Sequence, residues 1–195
     1  MPYPQGHRNV TREKIIDSAR RLFNRNGFDN VSVKQIMAGA GLTHGSFYRY
    51  FQGKSDLYTE VLRCFFTDPG WKNRWQGIEI DPHSRDAGAQ IVRAYLSRQH
   101  LADVENSCPL VALPTDVRRS GRGVRGAFET VFRAMVEALE RNVGGTPEVR
   151  HTRAQAAAAL CIGGLVVARA MVNEAAADEL REASMTIALQ LIGGR

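Results

Sequence analysis

Apolar positions recur with helical spacing over most of the chain. From Thr11 to Asn26 they fall at Ile15, Ile16, Ala19, Leu22 and Phe23. Thr11 is placed to cap this helix, Glu13 suits its positive end, and Asn26-Gly27 stops it. Ser32 and Gln35 have capping-box spacing for a second helix with Ile36 and Met37 inward, closed by the glycines at 39 and 41. Thr43 opens a third, short helix ending near Phe51. A fourth starts around Gly53, with Asp56 in its first turn and Leu57, Val61, Leu62 and Phe65 along one side. Four such helices make a marginal core by themselves, so the fourth is expected to pack on the later helices as well.

Asp68-Pro69-Gly70 breaks the pattern, and Trp71 to Ser84 reads as loop or short turns. A helix is predicted from about Arg85 to Val104 on Ile91, Val92, Tyr95 and Leu96, and a short one from Leu110 to Arg118 despite Pro114. After Ser120-Gly121-Arg122-Gly123, the stretch Val124 to Asn142 carries a stripe of Phe128, Val131, Phe132, Met135 and Leu139. Gly144-Gly145-Thr146-Pro147 is the strongest turn signal. Two helices come after it, about Glu148 to Asn173 and Asp178 to Ile192. The first is apolar nearly all round from Ala156 to Val167, which predicts burial on every side, most simply against a copy of itself. No strand pattern appears, so the fold class is all-α.

Charge divides the chain. Of the net +6, residues 1–66 supply most, with ten Lys/Arg against five Asp/Glu. A basic head on a near-neutral body fits a polyanion-binding module joined to a domain with another task. Cys64, Cys108 and Cys161 lie far apart, without C-x-x-C or histidines at zinc spacing, so neither a metal site nor a disulfide scaffold is predicted. No apolar run approaches the roughly 20 residues of a membrane span. Met1 to Val10 is polar, lacks the apolar core of a signal peptide and reads as a loose arm, which makes a cytoplasmic protein the expectation.

The most informative stretch is Gly41 to Phe51 with the Gln52 to Tyr58 segment after it. It crowds aromatics, short polar residues and cations into one very short helix. That mixture suits an element packed on one face and touching phosphates and base edges on the other. Helix, tight turn, short second helix is the order that delivers a recognition helix to the DNA major groove.

On the Ala40-Gly41-Leu42-Thr43 turn, the Gly45 to Phe51 run and the Lys54 to Leu57 helix start, the chain resembles the TetR family of transcriptional regulators over about residues 9–66. Beyond them, Ser107 to Leu110 and Gly163 to Ala170 resemble stretches of one TetR subgroup. The resemblance implies a three-helix helix-turn-helix DNA-binding domain at 1–66 and a helical ligand-binding and dimerisation domain at 67–195. It also implies nine or ten helices in all, a two-fold dimer on a palindromic operator, and release by a small molecule. Carried over by position, Thr43, His44, Gly45 and Ser46 fall where the family touches DNA. Tyr48 falls on a phosphate-binding tyrosine, Tyr50 on a further contact position with Arg49 between them as a DNA-binding candidate, and Lys54 on a phosphate-binding lysine. Ser32 matches the hydroxyl at the second helix's start. Ser32 and Thr43 have a compatible reading as helix caps. Phe47 stands where the family has a smaller aliphatic, and it should face the core.

In the body, Tyr95, Leu110, Phe128, Phe132, Met135 and Met171 are the candidate lining of an apolar effector pocket, with Arg118, Arg119 or His100 as a polar anchor. Cys108, before Pro109 in a break between helices, reads either as an electrophile-sensitive thiol or as a small buried residue. Leu160, Gly164, Leu165, Val167, Ile187 and Leu191 are the candidate dimer seam. No phosphate loop, nucleophile elbow or acid–base–nucleophile set calls for a cofactor or an enzyme. A constitutive DNA-binding protein without ligand is the alternative, with a cysteine-dependent enzyme behind it.

Overall fold

The computed structural model describes residues 5–67, 79–141 and 143–193. Among them are ten α-helices and one 3₁₀ segment, with no strand. The helices divide between two compact units, one of residues 1–67 with 104–129 and the other of 68–103 with 130–195. The body's first break therefore does not separate head from body cleanly: residues 104–129 belong with the head.

In the first unit, α1 (Gln5–Asn26) begins six residues before the expected Thr11 cap, taking in most of the segment read as a loose arm. Thr11 lies inside the helix and is buried, so it caps nothing. α2 (Val33–Gly39) carries the complete capping box: the Gln35 amide donates to Ser32 Oγ at 3.2 Å and the Ser32 amide to Gln35 Oε1 at 2.8 Å. It closes on Gly41, whose φ of +71° lets the Leu42 amide reach Met37 O at 2.8 Å and its own amide reach Ala38 O at 3.0 Å. Those two bonds are the Schellman ending, and only glycine adopts that φ freely. The 3₁₀ segment His44–Arg49 and α3 (Lys54–Thr67) come next. Ile15, Ala19 and Phe23 of α1 share the core with Ile36, Met37, Phe47, Leu57, Tyr58 and Leu62, all fully buried. Arg12 of α1 meets Glu60 of α3 at 2.6 Å and lies over the Phe51 ring at 5.1 Å. Partial burial pushes the Glu60 carboxyl up, but hydrogen bonds and charge from Arg12 and then Arg63 outweigh it and hold the group below its usual range. The expected helix at 110–118 is two: α6 (Pro109–Ala112) and α7 (Pro114–Arg119), because Pro114 has no amide to continue α6 and starts a new turn instead.

In the second unit, the helix expected from 85 to 104 is also two. α4 (Ala87–Tyr95) ends at Leu96, and Ser97 caps α5 (Arg98–Ala102) by accepting the His100 amide at 3.1 Å. α8 (Arg122–Glu140) gives its first part to the first unit and residues from Thr130 on to the second. α9 (Pro147–Ala170) starts on a Thr146 cap with proline at its first position, and α10 (Glu174–Leu191) starts on Asn173, whose side chain accepts the Ala176 amide at 3.1 Å. α10 therefore begins four residues before the Asp178 start expected from sequence. α9 reaches the length and apolarity of a membrane span by those two measures alone, which a packed core helix also meets. It is not buried on every side: Ala157, Ala158, Cys161, Leu165 and Ala168 are buried, while Ala156, Ala159, Gly163, Val166, Val167 and Ala170 are exposed. The part of the 71–84 loop at 71–78 lies outside the described residues, as does Asn142.

Two arginines hold this unit's short helices by their carbonyl ends. Arg169 of α9 donates to the carbonyls of His100, Leu101 and Asp103 at the end of α5. Arg181 of α10, almost wholly buried, donates to Leu96 O at 2.7 Å, Asp178 Oδ1 at 3.0 Å and Glu182 Oε1 at 2.9 Å. Hydrogen bonds from Arg98 and then Arg181 hold the Asp178 carboxyl below its usual range. A cation against the last carbonyls of a helix satisfies groups the helix leaves open. Removing it strands them, so Arg181→Ala should lower unfolding stability by about 3 kcal/mol, read as a lower urea midpoint at unchanged m-value. A midpoint within error of the parent would show that the arginine is dispensable.

Candidate nucleic-acid interface

The exposed face of the 3₁₀ segment gathers most of the residues singled out from sequence. Its backbone turns through i→i+3 bonds: Ser46 N to Thr43 O at 3.1 Å and Tyr50 N to Phe47 O at 2.9 Å. The expected short α-helix is therefore the tighter 3₁₀ form, which places residues three apart on one line. Phe47 is the anchor. It is fully buried and packs edge-on to Tyr48 at 5.3 Å and against Phe51 at 5.7 Å. With that ring inward, Thr43, His44, Gly45, Tyr48 and Arg49 are turned outward and exposed, while Ser46 and Tyr50 are half-buried.

Tyr48 is 65% exposed, a high value for so large a ring, and the His44 imidazole stands edge-on to it at 6.2 Å. Thr43 occupies the cap position without making a side-chain capping bond, so capping is not its role. Its carbonyl instead takes the Ser46 hydroxyl at 2.7 Å. Ser32 does cap: its hydroxyl also donates to Gln35 Oε1 at 2.7 Å and remains exposed at the start of α2.

Gly45 is the telling position. A Cβ built there would meet nothing within 4 Å, and its φ is not in the left-handed region. The fold asks for no glycine here, although glycine costs about 0.5–1 kcal/mol relative to alanine in a helix interior. What the missing side chain provides is unobstructed access to the backbone from outside.

Lys54 departs from the sequence expectation. Its ammonium donates to Phe28 O at 2.8 Å and Val31 O at 3.0 Å, and it rides over the Phe28 ring at 4.2 Å. Two of its three N–H donors thus serve the α1–α2 turn rather than an external phosphate. Sequence reasoning missed this because the partners are backbone carbonyls distant in sequence. Lys34, exposed on α2 two residues past its capped start, was not singled out from sequence either.

The residues read as an effector pocket are divided between the two units. Tyr95, His100 and Met135 are buried in the second unit, and Phe132 there is half-buried. His100 is tied to Tyr95 O through Nδ1 at 2.7 Å, which fixes its Nδ1–H tautomer. Cys108 and Leu110 are buried in the first unit, with Phe128 half-buried. Met171, which ends α9, is exposed and lines no interior. An open groove of about 590 Å³ in the second unit is bordered by Arg93, Ser97, Arg98, Arg181 and Met185, none of them expected. Burial pushes the Cys161 thiol up to about 12, which leaves it inert at neutral pH. No group of three or more His, Cys, Asp or Glu among the described residues is placed to hold a metal.

Two of the expected seam residues are used within the chain. A Cβ at Gly164 would sit 2.5 Å from Ser184 Oγ, so this glycine lets α9 and α10 of one chain close on each other. Leu165 is wholly buried. Val167 and Ile187 are exposed, and Leu160 and Leu191 are half-buried.

Residues 15–61 match the family described as bacterial regulatory proteins, tetR family. The HTH-type transcriptional regulator AcrR of Shigella flexneri is 43% identical over 51 residues, 26% of this chain and 24% of AcrR. That likeness covers about a quarter of the relative's length and speaks for the head. The fold is similar to that of NemR from E. coli, in its reduced form, with a TM-score of 0.72 at 19% identity over 93% of this chain and 96% of NemR. RolR in complex with its ligand resorcinol shares the same fold with a TM-score of 0.56 at 20% identity, covering 98% of this chain and 92% of RolR.

Proposed function

We propose that this chain, a member of the TetR family of bacterial transcriptional regulators, is a cytoplasmic, dimeric repressor. It binds a palindromic operator through the His44–Arg49 segment and is released by a small apolar or aromatic effector. The observation that carries the DNA reading is the outward cluster of Thr43, His44, Gly45, Tyr48 and Arg49, held out by the buried Phe47, with a glycine the fold does not need. Tyr48 and Ser32 are suited to phosphates and His44 to a base edge. Two heads reach successive major grooves when held about 34–36 Å apart, so an effector that favours another spacing lowers DNA affinity by linkage.

The effector reading draws on the apolar side chains Tyr95, Phe132 and Met135 of the second unit and Leu110 and Phe128 of the first, and on RolR, whose ligand is an aromatic diol. Cys108 is buried at the start of α6, which favours its packing role over that of an electrophile sensor. The alternative of a constitutive DNA-binding protein makes the same head prediction and no effector.

The test is selection from a random pool of duplex DNA. The wild type should enrich a palindrome with half-sites one helical turn, or a multiple of it, apart. Tyr48→Phe should weaken binding to all sequences alike, by roughly three- to tenfold for a lost hydrogen bond, whereas His44→Ala should change the enriched bases. A pool that shows no enrichment over a non-DNA-binding control would sink the reading.

A further inference from the structure

The backbone of one residue in the head is gripped through both of the peptide units that flank it. The Phe28 amide donates to Asp116 Oδ2 of α7 at 2.7 Å. The Phe28 carbonyl accepts Lys54 Nζ of α3 at 2.8 Å, and the same ammonium reaches Val31 O at 3.0 Å. The Phe28 ring lies stacked on Tyr58 of α3 at 4.6 Å and beneath the Lys54 ammonium at 4.2 Å. All four residues lie in the first unit. The gripped turn leads directly into Ser32 and α2, and α2 leads through the Gly41 ending into the 3₁₀ segment.

We propose that Asp116 and Lys54 are positioning residues for DNA binding: together they hold the Phe28 backbone, one at its amide and one at its carbonyl, and so set the turn that delivers α2 and the recognition segment. The proposal rests on the head being the DNA-binding module. It gives α7, which lies outside the 1–66 region read from sequence as the DNA-binding domain, a direct hold on that module. It also gives Lys54 work other than touching a phosphate.

The two roles differ in sign and in salt dependence. Removing a carboxylate from a DNA-binding unit ordinarily raises affinity for a polyanion. Removing Asp116 should do the opposite for a specific site, because the Phe28 amide loses its acceptor and the turn its register. Loss of one phosphate-contacting lysine flattens the dependence of log K on log salt by about 0.9 for each subunit. Loss of a positioning lysine leaves the slope near the parent value.

The experiment measures the full-length protein on a duplex selected from a random pool and on a random duplex, across a salt series, at a temperature where circular dichroism shows each variant folded. Asp116→Ala should bind the selected duplex at least about tenfold more weakly, in line with a part-buried donor left unpaired, and bind random duplex as well as or better than the parent. Asp116→Asn keeps an acceptor oxygen and should restore most of the loss, which a mere stability effect on a folded sample would not produce. Lys54→Met should show the same selective loss at an unchanged salt slope, and it carries the test alone where Asp116→Ala does not fold. Equal or tighter binding of the selected duplex by Asp116→Ala, or a slope flattened by Lys54→Met, overturns the proposal while leaving the DNA reading in place. A wild type that binds neither duplex overturns both.

Discussion

Gly45→Leu is expected to leave the protein folded and to remove sequence-specific DNA binding by at least about a hundredfold, the equivalent of two or so lost contacts at 1–3 kcal/mol each. A side chain at position 45 enters open space, and the backbone there has no conformation that only glycine adopts. Thermal unfolding should therefore stay level or rise slightly, since glycine is the costlier residue in helical backbone. A leucine would stand between His44 and Tyr48 along the exposed face and keep the backbone from approaching a groove floor or a phosphate. Gly45→Ala should fall between, since one methyl blocks less. The pairing of unchanged melting with lost binding is what distinguishes this position from a core one. A leucine variant that bound the selected duplex within about threefold of the parent would mean that the DNA does not come near residue 45.

The all-helical fold and the helix-turn-helix were legible because their signals are local. The Ser32–Gln35 capping box, the glycine ending at Gly41 and the alternation of buried Phe47 with exposed Tyr48 each lie within a few residues. Breaks inside predicted helices were harder. Leu96-Ser97 carries no proline or glycine, and the chain turns there because Ser97 caps α5 while Arg181, far along the sequence, takes the Leu96 carbonyl. Long-range partners to the backbone leave no periodic trace, which is why the roles of Lys54, Asp116, Arg169 and Arg181 were not visible. The opposite error arose at α9. Apolar composition all round read as burial all round, but alanine and glycine are small enough to line a packed face and an exposed one in the same helix.

Charging that exposed face should break an assembly: Val167→Glu with Ile187→Glu is expected to convert a dimer into folded monomers and cost operator affinity by about 10²–10⁴-fold. Along α9 the outward residues are Ala156, Ala159, Gly163, Val166, Val167 and Ala170, with Val167 51% exposed, and α10 adds Ile187 at 46%. Apolar residues left in water along two adjacent helices are the surface that two copies would bury as a four-helix seam. Small side chains let the backbones approach, and the larger Val167 and Ile187 supply the contacts that a carboxylate would have to desolvate. The choice of residues matters. Leu165→Glu would place a charge among groups the single chain already buries, and its effect on folding would mask any effect on assembly. Val167 and Ile187 are half-solvated in the lone chain, so charging them spares the monomer. Affinity is lost because the second head no longer arrives tethered to the first: its effective concentration falls from about millimolar to that of free protein. Sedimentation at micromolar concentration reads the assembly, circular dichroism the fold, and titration against the selected duplex the affinity. Persistence of the parent's dimer in the charged variant would place the interface on another surface, and a parent that sediments as a monomer would remove the two-headed operator from the proposal.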